Sequence, residues 1–220
     1  MKFTTAHRMR NMTDRNEMIT AAHELDGGKN ANNELYRRWA HSYDKDVLGD
    51  GYVGPLVCAL MAQQVADSPD PAVLDVGCGT GLGGVELVAL MPQARITGAD
   101  LSPDMVQLAQ ETGAYTSVVG DVDLNKPLPE NLSGAHEILM CCGTFTLGHV
   151  GPEALPNLVR ATPRGGYAIF SVRRRHSLKV DFKSAVDDVV DRGLARITSQ
   201  LENAPHISEE GADYWTLQRT

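Results

Sequence analysis

The run Val73-Leu74-Asp75-Val76-Gly77-Cys78-Gly79-Thr80-Gly81-Leu82-Gly83-Gly84 sets a carboxylate inside an apolar strand and follows it at once with glycines. Glycines there let a ligand approach the backbone, and the helix that must follow offers unpaired N–H groups in its first turn. Gly79-x-Gly81-x-x-Gly84 satisfies the dinucleotide pattern G-x-G-x-x-G, so spacing alone leaves NAD open. The plainer reading is a tight turn that holds nothing. Position separates the two ligand readings. The first turn glycine, Gly77, precedes that pattern by two residues, and Asp75 lies within the end of the strand. A carboxylate there suits an ammonium, directly or through water, better than a pyrophosphate. That comparison favours S-adenosylmethionine (SAM), whose methionyl end carries an ammonium, over NAD.

Two further carboxylates close the next two strands. Asp100 ends Arg95-Ile96-Thr97-Gly98-Ala99 and precedes Leu101-Ser102-Pro103. At a second strand's end it is placed to accept both hydroxyls of a ribose. Its other role would be to cap the helix at Pro103, although Ser102 already offers a cap there. Asp121 follows the third strand in Gly120-Asp121-Val122-Asp123-Leu124. It is placed to accept an adenine amino group, with Val122 beside the ring and Asp123 as a turn residue. Met105 either packs on the adenine face or joins the core under its helix. Cys78 and Leu101 complete the expected cofactor contacts around the turn.

These residues need a scaffold of alternating strands and helices. Short apolar runs at 73–76, 94–99, 116–119, 135–142 and 167–172 predict strands, and 83–91, 103–112 and 152–161 predict helices between them. Strands separated by helices imply right-handed crossovers and a largely parallel sheet covered on both faces. The last third changes: 180–192 reads as a helix, while 195–201 and 214–219 read as strands with a long connection, able to pair as an antiparallel edge. Upstream, residues 1–30 form a polar arm that is partly helical or mobile. Residues 31–71 form a helical lid segment, with Asn33 capping a helix through Tyr36 and Trp39, and an apolar helix from Tyr52 or Pro55 to Val65. Residues 72–220 form the core.

Composition narrows the class. With 220 residues, 42% hydrophobic and 22% charged, the chain can build one sizeable core. A net charge of -8 gives no overall attraction to phosphate backbones, so no nucleic-acid partner is expected. Arg173-Arg174-Arg175 is the clearest local basic cluster, and its simplest reading is a solvated strand end. The four cysteines, Cys58, Cys78, Cys141 and Cys142, lack C-x-x-C or zinc-finger spacing, which suits a reducing compartment. Cys141 and Cys142 point to opposite faces of a strand, so a disulfide between them is not expected. No secretory signal and no membrane span is evident, and the cytoplasm is the expected location. No metal cluster is expected.

Taken together, Val73–Gly81, Ile96–Pro103, Gly120–Leu124 and Arg164-Gly165-Gly166-Tyr167 resemble the motif set of class I SAM-dependent methyltransferases, over roughly residues 34–219. That resemblance implies a Rossmann-like α/β fold: a seven-stranded, mostly parallel sheet with one antiparallel edge strand and helices on both faces. In it Asp75 and the turn Gly77, Gly79 and Gly81 hold the methionyl end, Asp100 the ribose and Asp121 the adenine side. A narrower resemblance, to the Williams–Beuren syndrome chromosome region 27 protein-like group, rests on Tyr36-Arg37-Arg38-Trp39-Ala40-His41-Ser42-Tyr43-Asp44, Gly51-Tyr52-Val53-Gly54-Pro55 and Cys142-Gly143-Thr144-Phe145-Thr146-Leu147-Gly148-His149-Val150. Leu147 stands where that group often has a histidine, and Ala135-His136-Glu137 departs from its usual Tyr-Asp pair.

The resemblance implies SN2 transfer of a methyl group to oxygen, nitrogen or sulfur of a small molecule, leaving S-adenosylhomocysteine. Orientation carries much of such a reaction, and a base is needed only where the acceptor holds a proton. Tyr43 is expected at the methionyl end, with ordinary aromatic packing as its alternative. Tyr36, Trp39, Tyr52, Thr144, Phe145 and His149 are expected on the acceptor side, His149 as base or as a structural hydrogen-bonding residue. Cys142, at the ligand-gathering carboxyl edge of the sheet, is expected among the cofactor contacts, without need of a nucleophilic role. A SAM-dependent lyase or cyclase and a non-catalytic SAM-binding regulator are the alternatives, and the expected assembly is a monomer or homodimer.

Overall fold

The computed structural model describes Asp44, residues 47–145 and residues 150–220. The expected N-terminal arm, the helix carrying Tyr36, Trp39 and Tyr43, and His149 lie outside the described residues. Described elements begin with α1 (Gly54–Val65), β1 (Ala72–Val76), α2 (Leu82–Leu90), β2 (Arg95–Ala99), α3 (Pro103–Glu111), β3 (Ser117–Val119) and β4 (Ile138–Phe145). A single 3-10 turn, Pro152–Ala154, leads into α4 (Leu155–Ala161), followed by β5 (Tyr167–Arg173), α5 (Arg174–Lys179), α6 (Phe182–Asp191), β6 (Ala195–Ile207) and β7 (Glu210–Arg219).

The strands form one seven-stranded sheet in the order β3-β2-β1-β4-β5-β7-β6. β1 through β5 pair in parallel, while β7 is antiparallel to both β5 and β6. The antiparallel strand is therefore second from the rim, and β6 closes the sheet. Where a long connection between these strands was expected, Ile207 pairs with Glu210 across a two-residue turn. The polar stretch 202–213 hides this hairpin in the sequence, because β6 faces solvent along most of its length. Similarly, the helix expected over 180–192 starts at Phe182, and α5 stands before it.

Both sheet faces are covered. One core joins Leu74, Leu139, Cys141 and Phe170 to α4 and α6; the other joins Val73, Ile138 and Met140 to Cys58, Ala59 and Ala62 of α1 and Leu87 of α2. Parallel strands buried on both sides explain the continuous apolar runs. Pro55 lies in the first turn of α1, and Ser102 caps α3 by accepting from the Met105 N–H at 3.5 Å. The chain order reverses between β1 and β4, which opens a crevice above their carboxyl ends. No helix among the described residues is long and apolar enough to cross a membrane.

Candidate cofactor site and acceptor edge

β1 delivers the chain into that crevice through three glycines in the left-handed region: Gly77 (φ 67°), Gly79 (φ 54°) and Gly81 (φ 99°). The Gly77 and Cys78 N–H groups both donate to Ala99 O, at 2.7 and 3.1 Å, which fastens the turn to the end of β2. A side chain at Gly77 would strike the Thr144 hydroxyl, while one at Gly81 would meet Ala109 Cα at 3.0 Å. Gly79 differs. Among the described residues, nothing lies within 4 Å of the position its Cβ would take. The middle of the turn therefore faces open space, and its flanks face protein.

Asp75 is buried, at 2% exposure, and no basic side chain pairs with it among the described residues. Its Oδ2 accepts from the Tyr115 hydroxyl at 2.8 Å. Burial pushes this carboxyl up to about 7, against the lowering effect of the Tyr115 hydroxyl, and nearby Asp100 adds repulsion. A buried carboxylate with no cation of its own is costly unless a cation arrives. Asp100 is half-buried at the lip of the same turn. Its Oδ2 accepts from the Gly79 N–H at 2.9 Å and its Oδ1 from the Ser102 N–H at 2.8 Å. Each oxygen retains a second lone pair. Burial raises this carboxyl as well, while those amide hydrogen bonds lower it.

Asp121 is exposed and sits at φ 58°, beyond β3. The Val122 N–H donates to Asp100 O at 3.0 Å, and the Val122 side chain belongs to the main core. Met105 is buried at 3% exposure, and Leu101 is half-buried beside Asp100. Cys78 is buried within the turn, where burial pushes its thiol up.

On the acceptor side, the structure gathers Tyr52, Cys142 and Thr144 at the carboxyl end of β4. Tyr52 and Cys142 share an O···S hydrogen bond at 3.5 Å, Ser171 Oγ donates to Cys142 Sγ at 3.7 Å, and the Gly143 N–H donates to Ser171 Oγ at 2.9 Å. Hydrogen bonding from Cys58, supported by Tyr52 and Ser171, holds the Cys142 thiol below its ordinary range; bonding to Cys142 and burial push Cys58 up. Tyr52 also meets the His206 ring edge-on, with centroids 5.0 Å apart. Burial first, then Arg173, depresses His206 to about 3, so its imidazole is neutral at pH 7. Phe145 takes another place. It is fully buried, with its ring 4.9 Å from Phe182 and 5.7 Å from Phe170, and packs the core rather than lining the acceptor edge.

Two of the three arginines are held in ion pairs, and Arg175 is exposed. Arg173 pairs with Glu210 at 3.0 Å, and Arg174 with Asp213 at 2.8 Å and Glu202 at 2.9 Å. Neighbouring residues carry no sign of this, because the acids come from the hairpin 28 to 39 positions later. The sequence pattern assigned no role to Tyr115, Ser171, His176 or Asp44. Asp44 accepts from the Thr80 hydroxyl at 2.5 Å, which ties the chain before α1 to the glycine turn. His176 lies on α5, next to the carboxyl end of β5; it is 5% exposed, and neither ring nitrogen has a hydrogen-bond partner. Among the described residues, no group of three or more His, Cys, Asp or Glu side chains is arranged to hold a metal.

Comparison with known proteins bears on the fold. Residues 73–166 match the family described as "Methyltransferase domain". The chain is 38% identical over 93 residues to a release factor glutamine methyltransferase of Deinococcus radiodurans, covering 42% of this chain and 30% of that protein. It is 33% identical over 123 residues to a malonyl-(acyl-carrier protein) O-methyltransferase of Herminiimonas arsenicoxydans, covering 56% and 45%. The chain thus spans less than half the length of these curated relatives. A TehB-like SAM-dependent methyltransferase from Corynebacterium glutamicum superposes with a TM-score of 0.63 over 84% of this chain and 98% of that one, at 18% identity. The fold is the Rossmann-like class I methyltransferase fold.

Proposed function

We propose, from a methyltransferase domain set in this class I fold, that the chain transfers a methyl group from SAM to oxygen, nitrogen or sulfur of a small acceptor. The observation that carries the reading is Asp75, a buried carboxylate with no cation beside it among the described residues, two positions before a glycine turn with open space at Gly79. An ammonium meets that need, and the open turn admits a bulky chain next to it. Asp75 and Gly79 would hold the methionyl end, Asp100 the ribose and Asp121 the adenine side. When bound, SAM supplies an electrophilic methyl on a positively charged sulfur.

The protein's own part is then binding, orientation and exclusion of water. Tyr52 and Thr144 form the described acceptor-side wall, with Tyr36, Trp39 and His149 proposed to complete it, while Tyr43 and Cys142 are proposed on the cofactor side. Of the two carboxylates nearest the turn, Asp75 is a poor base because it is tied to the cofactor's charge. A base on the acceptor edge suits protonated acceptors better, and His149 is proposed for that task. The motifs at 36–44 and 142–150 support placing the chain near the Williams–Beuren syndrome chromosome region 27 protein-like group. A cytoplasmic monomer or homodimer fits the net charge and cysteine usage.

The test is incubation of the chain with methyl-labelled SAM and fractionated cell extract, beside a direct SAM-binding titration. Saturable SAM binding and one labelled small product are expected. Saturable NAD binding without SAM binding would defeat the reading.

A further inference from the structure

Tyr115 lies between α3 and β3 and belongs to no motif that the fold makes obvious. Its hydroxyl donates to Asp75 Oδ2 at 2.8 Å and accepts from the Gly84 N–H, in the first turn of α2, at 3.0 Å. This is the one hydrogen bond that Asp75 receives from a described side chain, and Oδ1 receives none from a described residue. An amide at a helix N-terminus polarises the phenol and strengthens its onward donation to the carboxylate.

The ring also occupies a slot that glycines keep open. A Cβ at Gly84 would lie 2.5 Å from Tyr115 Cε2 and 2.7 Å from its hydroxyl; at Gly98 it would lie 3.0 Å from the ring, and at Gly81 3.1 Å. These glycines come from α2, β2 and the turn, so the slot is a tertiary construction. Gly83 completes it, since a Cβ there would lie 2.7 Å from Asp75 Oδ2. The last glycine of the apparent G-x-G-x-x-G therefore serves a tyrosine rather than a phosphate.

We propose that Tyr115 is the positioning residue for the amino-acid end of the cofactor: it holds Asp75 Oδ2 against the first turn of α2 and leaves Oδ1 to receive the ligand's ammonium. The proposal rests on the SAM reading. Tyr115 touches the carboxylate and not the ligand, so its effect is confined to ligands that carry the amino-acid end.

Calorimetric titration of the full chain with two ligands tests this. SAM carries the amino-acid end; 5′-methylthioadenosine has the adenosine and sulfur without it. Tyr115→Phe removes one oxygen and keeps the ring in its slot. The expected result is SAM affinity about tenfold weaker, the scale of a lost hydrogen bond to a charged group, with 5′-methylthioadenosine unchanged within about twofold. Asp75→Asn is expected to weaken SAM at least as much, and the double variant to be no weaker than Asp75→Asn alone, because the tyrosine acts through the carboxylate. Unchanged SAM affinity in Tyr115→Phe overturns the proposal, as does equal weakening of both ligands or a further loss in the double variant. A parent chain that fails to bind SAM defeats the cofactor reading itself, an outcome separate from these.

Discussion

A buried aspartate is an unusual thing to place at the end of a core strand, and its cost should be measurable. Burial raises the Asp75 carboxyl to about 7 in the folded chain, against 3.8 ordinarily. A carboxyl raised in this way keeps its proton in the folded state across a window in which the unfolded chain has lost it. Stability therefore falls as pH rises through that window, and the penalty is complete above it. Asp75→Asn should stabilise the fold by a few kcal/mol at most at about pH 8, seen as a higher melting temperature, and leave it near the parent's at about pH 4. A shift of equal size at both pH values would show that charge burial is not the cause. His176 gives a second residue-scale expectation. Two buried ring nitrogens without partners cost about 1–3 kcal/mol, so His176→Leu should melt no lower than the parent. A melting temperature several degrees lower would mean that the imidazole is bonded after all.

The glycine turn shows the same logic at the scale of an element. Gly77 and Gly79 share a left-handed backbone, yet only Gly77 faces protein, at Thr144. Gly77→Ala carries both the backbone penalty, about 1–2 kcal/mol, and a collision, and should lower stability by more than that. Gly79→Ala carries the backbone penalty alone, but its methyl enters the open space. We expect it to weaken SAM binding by about tenfold or more while its melting temperature falls less than that of Gly77→Ala. Equal SAM affinity in the parent and Gly79→Ala would remove Gly79 from the cofactor wall. This is also where sequence reading worked best. A strand, three alternating glycines and a helix are contiguous, so the local pattern carries the local structure. Tyr115 was illegible for the opposite reason: its partners come from three separate elements, 17 to 40 positions away.

Across the whole molecule, the β6–β7 hairpin buttresses the acceptor edge. β7 brings Asp213 under α5, where it accepts from Arg174 at 2.8 Å, from Ser177 at 2.5 Å and from the Asn203 N–H at 2.9 Å. Removing a buried carboxylate with three donors leaves all of them short of a partner. Asp213→Ala should cost about 3 kcal/mol, or roughly 6–12 °C in melting temperature for a chain of this size. SAM affinity measured below the transition should change little, because the glycine turn stands on β1 and β2, across the sheet. A large loss of SAM affinity with no loss of stability would contradict that division.

The parallel core, the cofactor turn and the carboxylates closing β1 and β2 were determined by the amino-acid sequence itself, because each is a run of neighbouring residues whose period and flanking glycines are local facts. Tertiary structure alone decided the rest. It moved β7 one place in from the rim, paired Arg173 and Arg174 with acids from the hairpin, drew Phe145 into the core and set Tyr115 beneath Asp75. Those outcomes depend on which distant elements share a surface once both faces of the sheet are buried, and chain spacing does not encode that directly.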